Sequence, residues 1–498
     1  MPPLHPPFKK VLIANRGEIA VRIIRTLRRL GITSIAIYSD VDKNSLHVLL
    51  ADEAYRVGSP DPKMSYLNID KIVEIAKRSG AEAVHPGYGF LAQSKEFAER
   101  VTEEGLIFIG PPSRIHELVS DKLAFKKYLS ENGIPVVPGP LKKISSLDEA
   151  LNEAERIGYP VILKPRFGGG GIGMFICHNE DEIKRFYNIS SKLSDTAFGK
   201  GDIYMEKYYP KAKHIEVQIL ADNHNNAVHL FERECSIQRR FQKVLEEAPS
   251  PAINDEVRER LTYTALKIVR LVNYVNAGTV EFIYIPYEEK FYFIELNARI
   301  QVEHPVTEEI TGVDIVKEQI HIAAGERLSI SQNEVMARGH AIEARIYAED
   351  PKTLNPCPGI VNAYLPPSGP GIRVDSYLYP GVEVPSFYDP LIAKVIAWGN
   401  NRNEAIDRLK VALTEFYVDG ITTNVLLHLS VLSNPLFLNG TYNTRTLEEN
   451  ILPNLPQEVS RLRLPLKGRS MPKDISSHLI PVVSAWKLSA RLDSLEVD

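Results

Sequence analysis

The chain has 498 residues, 44% hydrophobic and 24% charged, a size at which single cores have stopped growing, so two to four domains are expected. Its 59 basic and 63 acidic residues leave a formal charge of −4, which nominates neither a nucleic acid nor a membrane as a partner. Cys177, Cys235 and Cys357 form no CxxC pair, no apolar run reaches the length of a membrane span, and the first residues lack a signal-peptide pattern; this argues against a disulfide framework or a zinc site, and a soluble cytoplasmic protein is expected.

The first segment opens with the buried-strand run Val11 to Ala14, then Asn15-Arg-Gly-Glu18, then a helix whose Ile19, Ile23, Leu27 and Leu30 recur at helical spacing up to Gly31. Strands follow at Ser34 to Tyr38, Ala83 to His85 and Leu106 to Gly110, so residues 1–119 read as a Rossmann-like parallel α/β layer. Such layers bind ligands at the carboxyl ends of their strands. The loop His85-Pro-Gly-Tyr-Gly-Phe90 lies at one of those ends, where Tyr88 can face a substrate or glycine and proline can simply shape a turn. Arg16, Arg22 and Arg25 stand where they can serve a dimer contact or face water.

A helix around Asp121 to Asn132 leads into a compact α+β unit over about 137–209. Its hallmark is Tyr159-Pro-Val-Ile-Leu-Lys-Pro-Arg-Phe-Gly-Gly-Gly-Gly-Ile-Gly-Met174. Gly168, Gly169, Gly170, Gly171 and Gly173 let backbone N–H groups close on an anion, because no Cβ stands in the way. A strand, Met174 to Cys177, follows the glycines where a dinucleotide fingerprint needs a helix, and no Lys-Ser or Lys-Thr follows as in a Walker loop. What remains is a mobile hairpin lid over phosphate, with Lys164 supplying charge; a plain flexible hairpin is the alternative.

Residues 210 to about 335 read as strand-rich, with a hairpin of Thr279 to Ile283 and Phe291 to Glu295 across a turn at Pro286 to Lys290. Glu281 and Glu295 fall on facing segments with Asn297 two residues on, which outlines a site for Mg²⁺ (or Mn²⁺) held together with nucleotide phosphates. From Glu295 to His304 the sequence alternates without a break, predicting one strand with Glu295, Asn297, Arg299, Gln301 and Glu303 on one face and Leu296, Ala298, Ile300 and Val302 on the other. Carboxylate and amide oxygens suit a hard cation and a guanidinium grips carbonate or phosphate, whereas an edge strand with protective charges is the bland reading. Arg239, Arg240 and Lys243, beside Gln238 and Gln242, predict recognition of a small anion. His214 begins an alternating strand and can bond a ribose or sit satisfied at a strand edge. A third, β-rich layer begins with His340-Ala-Ile-Glu-Ala-Arg345, and the last stretch turns amphipathic near Val482 to Leu495.

Together, Ala14-Asn-Arg-Gly-Glu-Ile-Ala20, His85-Pro-Gly-Tyr-Gly-Phe90, Gln238-Arg-Arg-Phe-Gln-Lys243 with Glu-Glu-Ala-Pro, and Arg299-Ile-Gln-Val-Glu-His304 resemble the biotin carboxylase branch of the ATP-grasp ligases over about residues 8 to 450. The resemblance implies an α/β and α+β chain with the ATP-grasp fold: an N-terminal domain at 1–119, an ATP-grasp domain at 120–337, a C-terminal β-rich domain at 338–450 and a tail at 451–498. It implies that ATP phosphorylates bicarbonate to carboxyphosphate and that the carboxyl group passes to biotin on a carrier protein. Glu303 matches the family's base, Arg299, Gln301 and the Val302 backbone its bicarbonate ligands, Lys243 the lysine that steadies carboxyphosphate, and Arg345 the arginine that stabilises the biotin enolate. Lys122 and Lys164 would bind ATP phosphates, the glycines and Met174 would cover the nucleotide, and Glu206, Lys207, Tyr209, His214, Gln238, Ile283 and Ile421 would line the adenosine; Tyr88 would lie beside biotin. Ile172, Phe241 and the Gln93-Ser94 pair depart from the family pattern. No Met-Lys-Met of a biotin carrier occurs, so we expect a separate carrier protein and a separate carboxyltransferase, with the chain as a homodimeric component of an acyl-CoA or pyruvate carboxylase. A different ATP-grasp carboxylate–amine ligase and a non-catalytic nucleotide-binding homologue are the alternatives.

Overall fold

The computed structural model describes residues 6–167, 173–199 and 201–455. The glycines 168–171, Ile172 and the amphipathic stretch near 482–495 lie outside the described residues.

Strands β1 (Lys10–Ile13), β2 (Thr33–Ser39), β3 (Glu53–Gly58), β4 (Ala83–His85) and β5 (Ile107–Phe108) form a parallel sheet in the order β3-β2-β1-β4-β5. Strand order reverses between β1 and β4, and such a switch point opens a crevice at the carboxyl ends of the strands. Asn15, just past β1, donates through Nδ2 to the carbonyls of Pro86 and Tyr88, both at 2.7 Å, and so pins the 85–90 loop across that crevice. Gly87 adopts φ +63° there, and a Cβ would lie 2.9 Å from Asn15 Nδ2, so only glycine lets the loop approach this closely. Helix Gly17–Leu30 turns its Ile19, Ile23, Ile24 and Leu27 into the core and ends at Gly31 with φ +71°.

Strands β6 (Val161–Pro165), β7 (Phe175–Cys177) and β8 (Ile203–Lys207) form a small antiparallel sheet, with β6 and β7 flanking the glycine run as expected of a hairpin. An eight-stranded sheet follows, built from β9 (Lys213–Ala221), β10 (Ala227–Arg239), β11 (Gln242–Ala248), β12 (Asn276–Ile285), β13 (Lys290–Asn297) and β14 (His340–Tyr347). Two short pairs, β15 (Gly359–Ile360) with β18 (Glu383–Val384) and β16 (Ala363–Leu365) with β20 (Tyr417–Asp419), flank its last strands, β17 (Ile372–Ser376) and β19 (Leu391–Gly399). The order β13-β12-β9-β10-β11-β14-β19-β17 means that the segment beginning at His340 continues the preceding sheet through the β11–β14 pairing.

One expectation is corrected. β13 ends at Asn297, residues 298–303 carry no ladder, and helix His304–Thr311 begins at once, so the alternation from Glu295 to Glu303 is not one strand. Ala298 and Ile300 still pack into the core while Gln301 and Glu303 are buried beside the charged groups, although the chain bends at Arg299 and turns at Val302–Glu303, where Glu303 has φ −82° and ψ 11°.

Candidate active site

Register places four ionisable side chains in a line across the eight-stranded sheet: Glu295 opposite Glu281, Glu281 opposite Glu216, and Glu216 opposite Arg233. Facing residues of antiparallel neighbours share a face, so the line is a consequence of pairing and period two. A second line, Arg345, Lys394 and Asp375, crosses β14, β19 and β17. Glu303 joins the two, with Oε1 2.7 Å from Lys243 Nζ and Oε2 2.8 Å from Arg345 Nη2.

Lys243 is the hub, in contact with Glu216, with Glu281 at 2.8 Å and with Glu303. Burial works against its charge, yet the three carboxylates hold the ammonium well above its usual range. Burial pushes Glu303 and Glu281 upward, but Lys243 with Arg345 in one case, and Lys243 with His214 in the other, more than offset it; both carboxyls lie well below the usual carboxylate range. Glu295 is likewise lowered, burial being outweighed chiefly by Lys122, whose ammonium contacts it. The opposite outcome occurs one pair further on. Glu246 and Glu343 face each other across β11 and β14, both fully buried, and burial raises Glu246 to about 7 and Glu343 well above the usual range, despite Arg345 and Lys394 respectively.

The loop after β13 is ordered by its own polar groups. Arg299 donates to Gln301 Oε1 at 2.6 Å, to the Ile300 carbonyl at 3.1 Å and to Asn297 Oδ1 at 3.2 Å. Asn297 and Gln301 each donate to Glu281 Oε1, at 2.9 and 3.1 Å. Gln93 accepts from the Ala298 N–H at 3.1 Å, so this departure from the expected pattern anchors the start of the loop, and Ser94 caps helix Lys95–Glu103. Tyr88 contacts Glu18 through its hydroxyl.

Glu281 and Glu295, two ionised carboxylates directly opposed on a hairpin, fit a hard divalent cation, and Asn297 two residues on completes the set once its amide, which here turns nitrogen to the carboxylates and oxygen to Arg299, is reversed. A competing trio, His214, Glu216 and Glu281, brings its ligand atoms within 4.8 Å of one another; it shares Glu281 with the first set but replaces Glu295, which among the described residues contacts the single cation Lys122, by Glu216, which contacts two, Arg233 and Lys243. Cys235 is buried beside Glu216 and Glu303, and burial raises its thiol well above the usual range, which removes it as a thiolate ligand.

Lys164 and the fully buried Lys126 both contact the carboxylate of Glu206, Lys164 at 3.0 Å, so the Glu206 side chain orients lysines and only its backbone edge remains for an adenine. Lys207 donates to the carbonyls of Gly158 and Tyr159. Tyr209 stacks on Tyr292, whose Cα pairs with that of Ile283, which in turn pairs with His214. Both ring nitrogens of His214 are taken, Nε2 by Glu281 at 2.9 Å and Nδ1 by Gln238 at 2.5 Å, so its work here is to hold those two side chains. Met174 is half-buried beyond the glycines, and Ile421 packs against the core of the C-terminal strands.

The basic run does not form the single anion patch expected of it. Arg239 pairs with Glu349 at 2.8 Å, Arg240 and Phe241 are exposed at a turn, and only Lys243 reaches the site. Nor are Arg16 and Arg22 free for a dimer contact: Arg16 makes a bidentate pair with Asp42 and Arg22 pairs with Glu308 and Asp314, leaving Arg25 exposed. Glu216 and Arg233 were missed in the sequence, although Glu216 follows His214 at the spacing that puts both on one face.

A three-stranded antiparallel unit with Lys164 on β6, together with a larger antiparallel sheet whose hairpin opposes Glu281 and Glu295, is the arrangement of the ATP-grasp class. Family models agree: biotin carboxylase N-terminal domain over residues 7–115, the carbamoyl-phosphate synthase L chain ATP-binding domain over 121–331, and biotin carboxylase C-terminal domain over 343–449. Biotin carboxylase 1 of Bacillus subtilis is 50% identical over 442 residues, 89% of this chain and 98% of the relative. A pyruvate carboxylase subunit of Methanothermobacter thermautotrophicus is 49% identical, covering 89% of this chain and 90% of the relative. The crystal structure of the 2-oxoglutarate carboxylase biotin carboxylase domain dimer of Hydrogenobacter thermophilus, with MgADP, ADP and bicarbonate, superposes with a TM-score of 0.87 at 47% identity, covering 90% of this chain and 98% of that one. The chain belongs to the biotin carboxylase family.

Proposed function

We propose that the two charged lines and the loop between them carry out the family's reaction, the ATP-dependent carboxylation of biotin with bicarbonate. The observation that carries the assignment of roles is Glu303, a fully buried carboxylate held between Lys243 and Arg345 at the end of the 298–303 loop. Lys122 and Lys164 bind the triphosphate, the latter oriented by Glu206. Glu281, Glu295 and Asn297 hold Mg²⁺, which when bound offsets charge on the phosphates.

Arg299, Gln301 and the Val302 backbone orient bicarbonate toward the γ-phosphorus. With both oxygens capped by cations Glu303 is a weak base; anions arriving at Lys243 and Arg345 draw those cations away and restore its basicity, so deprotonation of bicarbonate is coupled to full occupancy. Attack on the γ-phosphorus releases ADP and gives carboxyphosphate, whose charge Lys243 meets. Decay to CO₂ and phosphate lets phosphate take the N1′ proton, while Arg345 stabilises the enolate until N1′ attacks CO₂. Tyr88 lies beside the ureido ring.

We further read domains at 1–119, 120–337 and 338–450, a cytoplasmic setting from the unpaired cysteines, a homodimer, and carrier and transferase on separate chains of an acyl-CoA or pyruvate carboxylase. ADP release measured with and without bicarbonate tests the function: it is expected to require bicarbonate and to rise with free biotin. Unchanged release on omitting bicarbonate refutes it.

A further inference from the structure

Lys394 stands at the only point, among the described residues, where one buried ammonium touches the bicarbonate loop and the biotin-facing loop's anchor together. It is fully buried on β19, between Arg345 and Asp375 in register. Its Nζ donates to the Val302 carbonyl at 2.9 Å, lies 3.2 Å from Glu18 Oε2, and sits 5.9 Å from the centre of the Tyr88 ring. Glu18 in turn accepts from the Tyr88 hydroxyl through its other oxygen.

We propose that Lys394 is a positioning residue that couples the bicarbonate subsite to the biotin-facing loop, a role that rests on the functional reading above. The Val302 carbonyl belongs to a half-buried segment without ladder partners, and Lys394 supplies the hydrogen bond that no neighbouring strand gives it. That same peptide group carries the Glu303 N–H. Fixing its plane therefore fixes the direction in which the base leaves the backbone and the place of the Val302 amide beside it. Through Glu18 the same ammonium orients Tyr88, so the loop bearing Tyr88 and the loop bearing Arg299 to Glu303 share one tether. A cation in this place suits the task, because it satisfies an acceptor and an acid at once and exposes nothing to solvent.

The test compares the full-length wild type with Lys394→Met, with Lys394→Met/Glu18→Gln and with Glu18→Gln. The double variant removes both charges, so no buried ion is left unpaired if the single variant fails to fold. Both Lys394 variants are expected to lower kcat/KM for bicarbonate about tenfold or more, the usual cost of losing a charged hydrogen bond, with MgATP affinity by equilibrium binding within about twofold of wild type. Glu18→Gln alone keeps the bond to Val302 and is expected to raise KM for free biotin while leaving KM for bicarbonate unchanged. An unchanged kcat/KM for bicarbonate in the double variant overturns the proposal, as does a MgATP affinity that falls in parallel, which would mark Lys394 as a general structural residue. Failure of the wild type to use bicarbonate would instead overturn the functional reading, since the proposal is read only from ratios to wild type.

Discussion

At the scale of single residues the site works by opposing burial with fixed charge. Lys243 and Arg345 hold Glu303 ionised, whereas Glu246, one strand pair further along, has a single guanidinium partner and rises to about 7. Glu303→Gln is nearly isosteric and keeps the Lys243 contact possible, so nucleotide binding should survive. Turnover with bicarbonate should fall by about two orders of magnitude or more, the range for removing a general base. Rates of ADP release beside equilibrium binding of MgATP check this, and full turnover in the variant would remove Glu303 from the mechanism.

At the scale of elements, the Glu281/Glu295 hairpin was legible because opposed carboxylates at period two need only a turn between them, and register bears out the pairing. The end of β13 was not legible, since the sequence keeps its polar–apolar alternation through 298–303 while the chain itself leaves the ladder, bends at Arg299 and turns into the helix at Val302–Glu303. Glu216, Arg233 and Lys394 escaped for another reason: their partners lie on strands brought alongside by topology, such as Val302 for Lys394, and no local pattern marks them. The joining of β11 to β14 also makes a prediction. Glu247 on β11 accepts from His340 at 2.5 Å, from Arg402 at 2.6 and 2.8 Å and from Tyr442 at 2.5 Å, tying the sheet to helix Arg402–Glu415. Burial alone would raise it, yet His340 and Arg402 bring it down to about 2. Its contribution is present above the ordinary carboxylate value of 4.5 and is lost as pH falls toward 2. Glu247→Gln leaves Arg402 half-buried without its acid, and urea unfolding at neutral pH should show a loss of about 3 kcal/mol or more. A midpoint unchanged from wild type would show that Arg402 finds another acceptor.

At the scale of the molecule, the site forms along one long sheet flanked by the smaller layers, and the family pattern was readable there because its motifs sit at strand ends and in the loop before helix His304–Thr311. Response to pH is a sum of opposed buried groups, so it is read one group at a time. His47, fully buried against the Ile37 carbonyl and Ser45, is pushed down to about 4 by burial from an ordinary 6.5. The unfolded chain takes up that proton first as pH falls, so the contribution is whole above 6.5 and declines toward 4, by about 2 kcal/mol at pH 5. His47→Gln should therefore lose less stability than wild type between pH 7.5 and pH 5 in matched melting experiments; equal losses would contradict the assignment. The central claim is that one cation set and one loop gather nucleotide and bicarbonate around Glu303. A crystal of Glu303→Gln soaked with MgATP and bicarbonate tests it most directly: the account predicts the cation at about 2.1 Å from oxygens of Glu281 and Glu295, with bicarbonate on Arg299. A triphosphate bound away from those two carboxylates would contradict it.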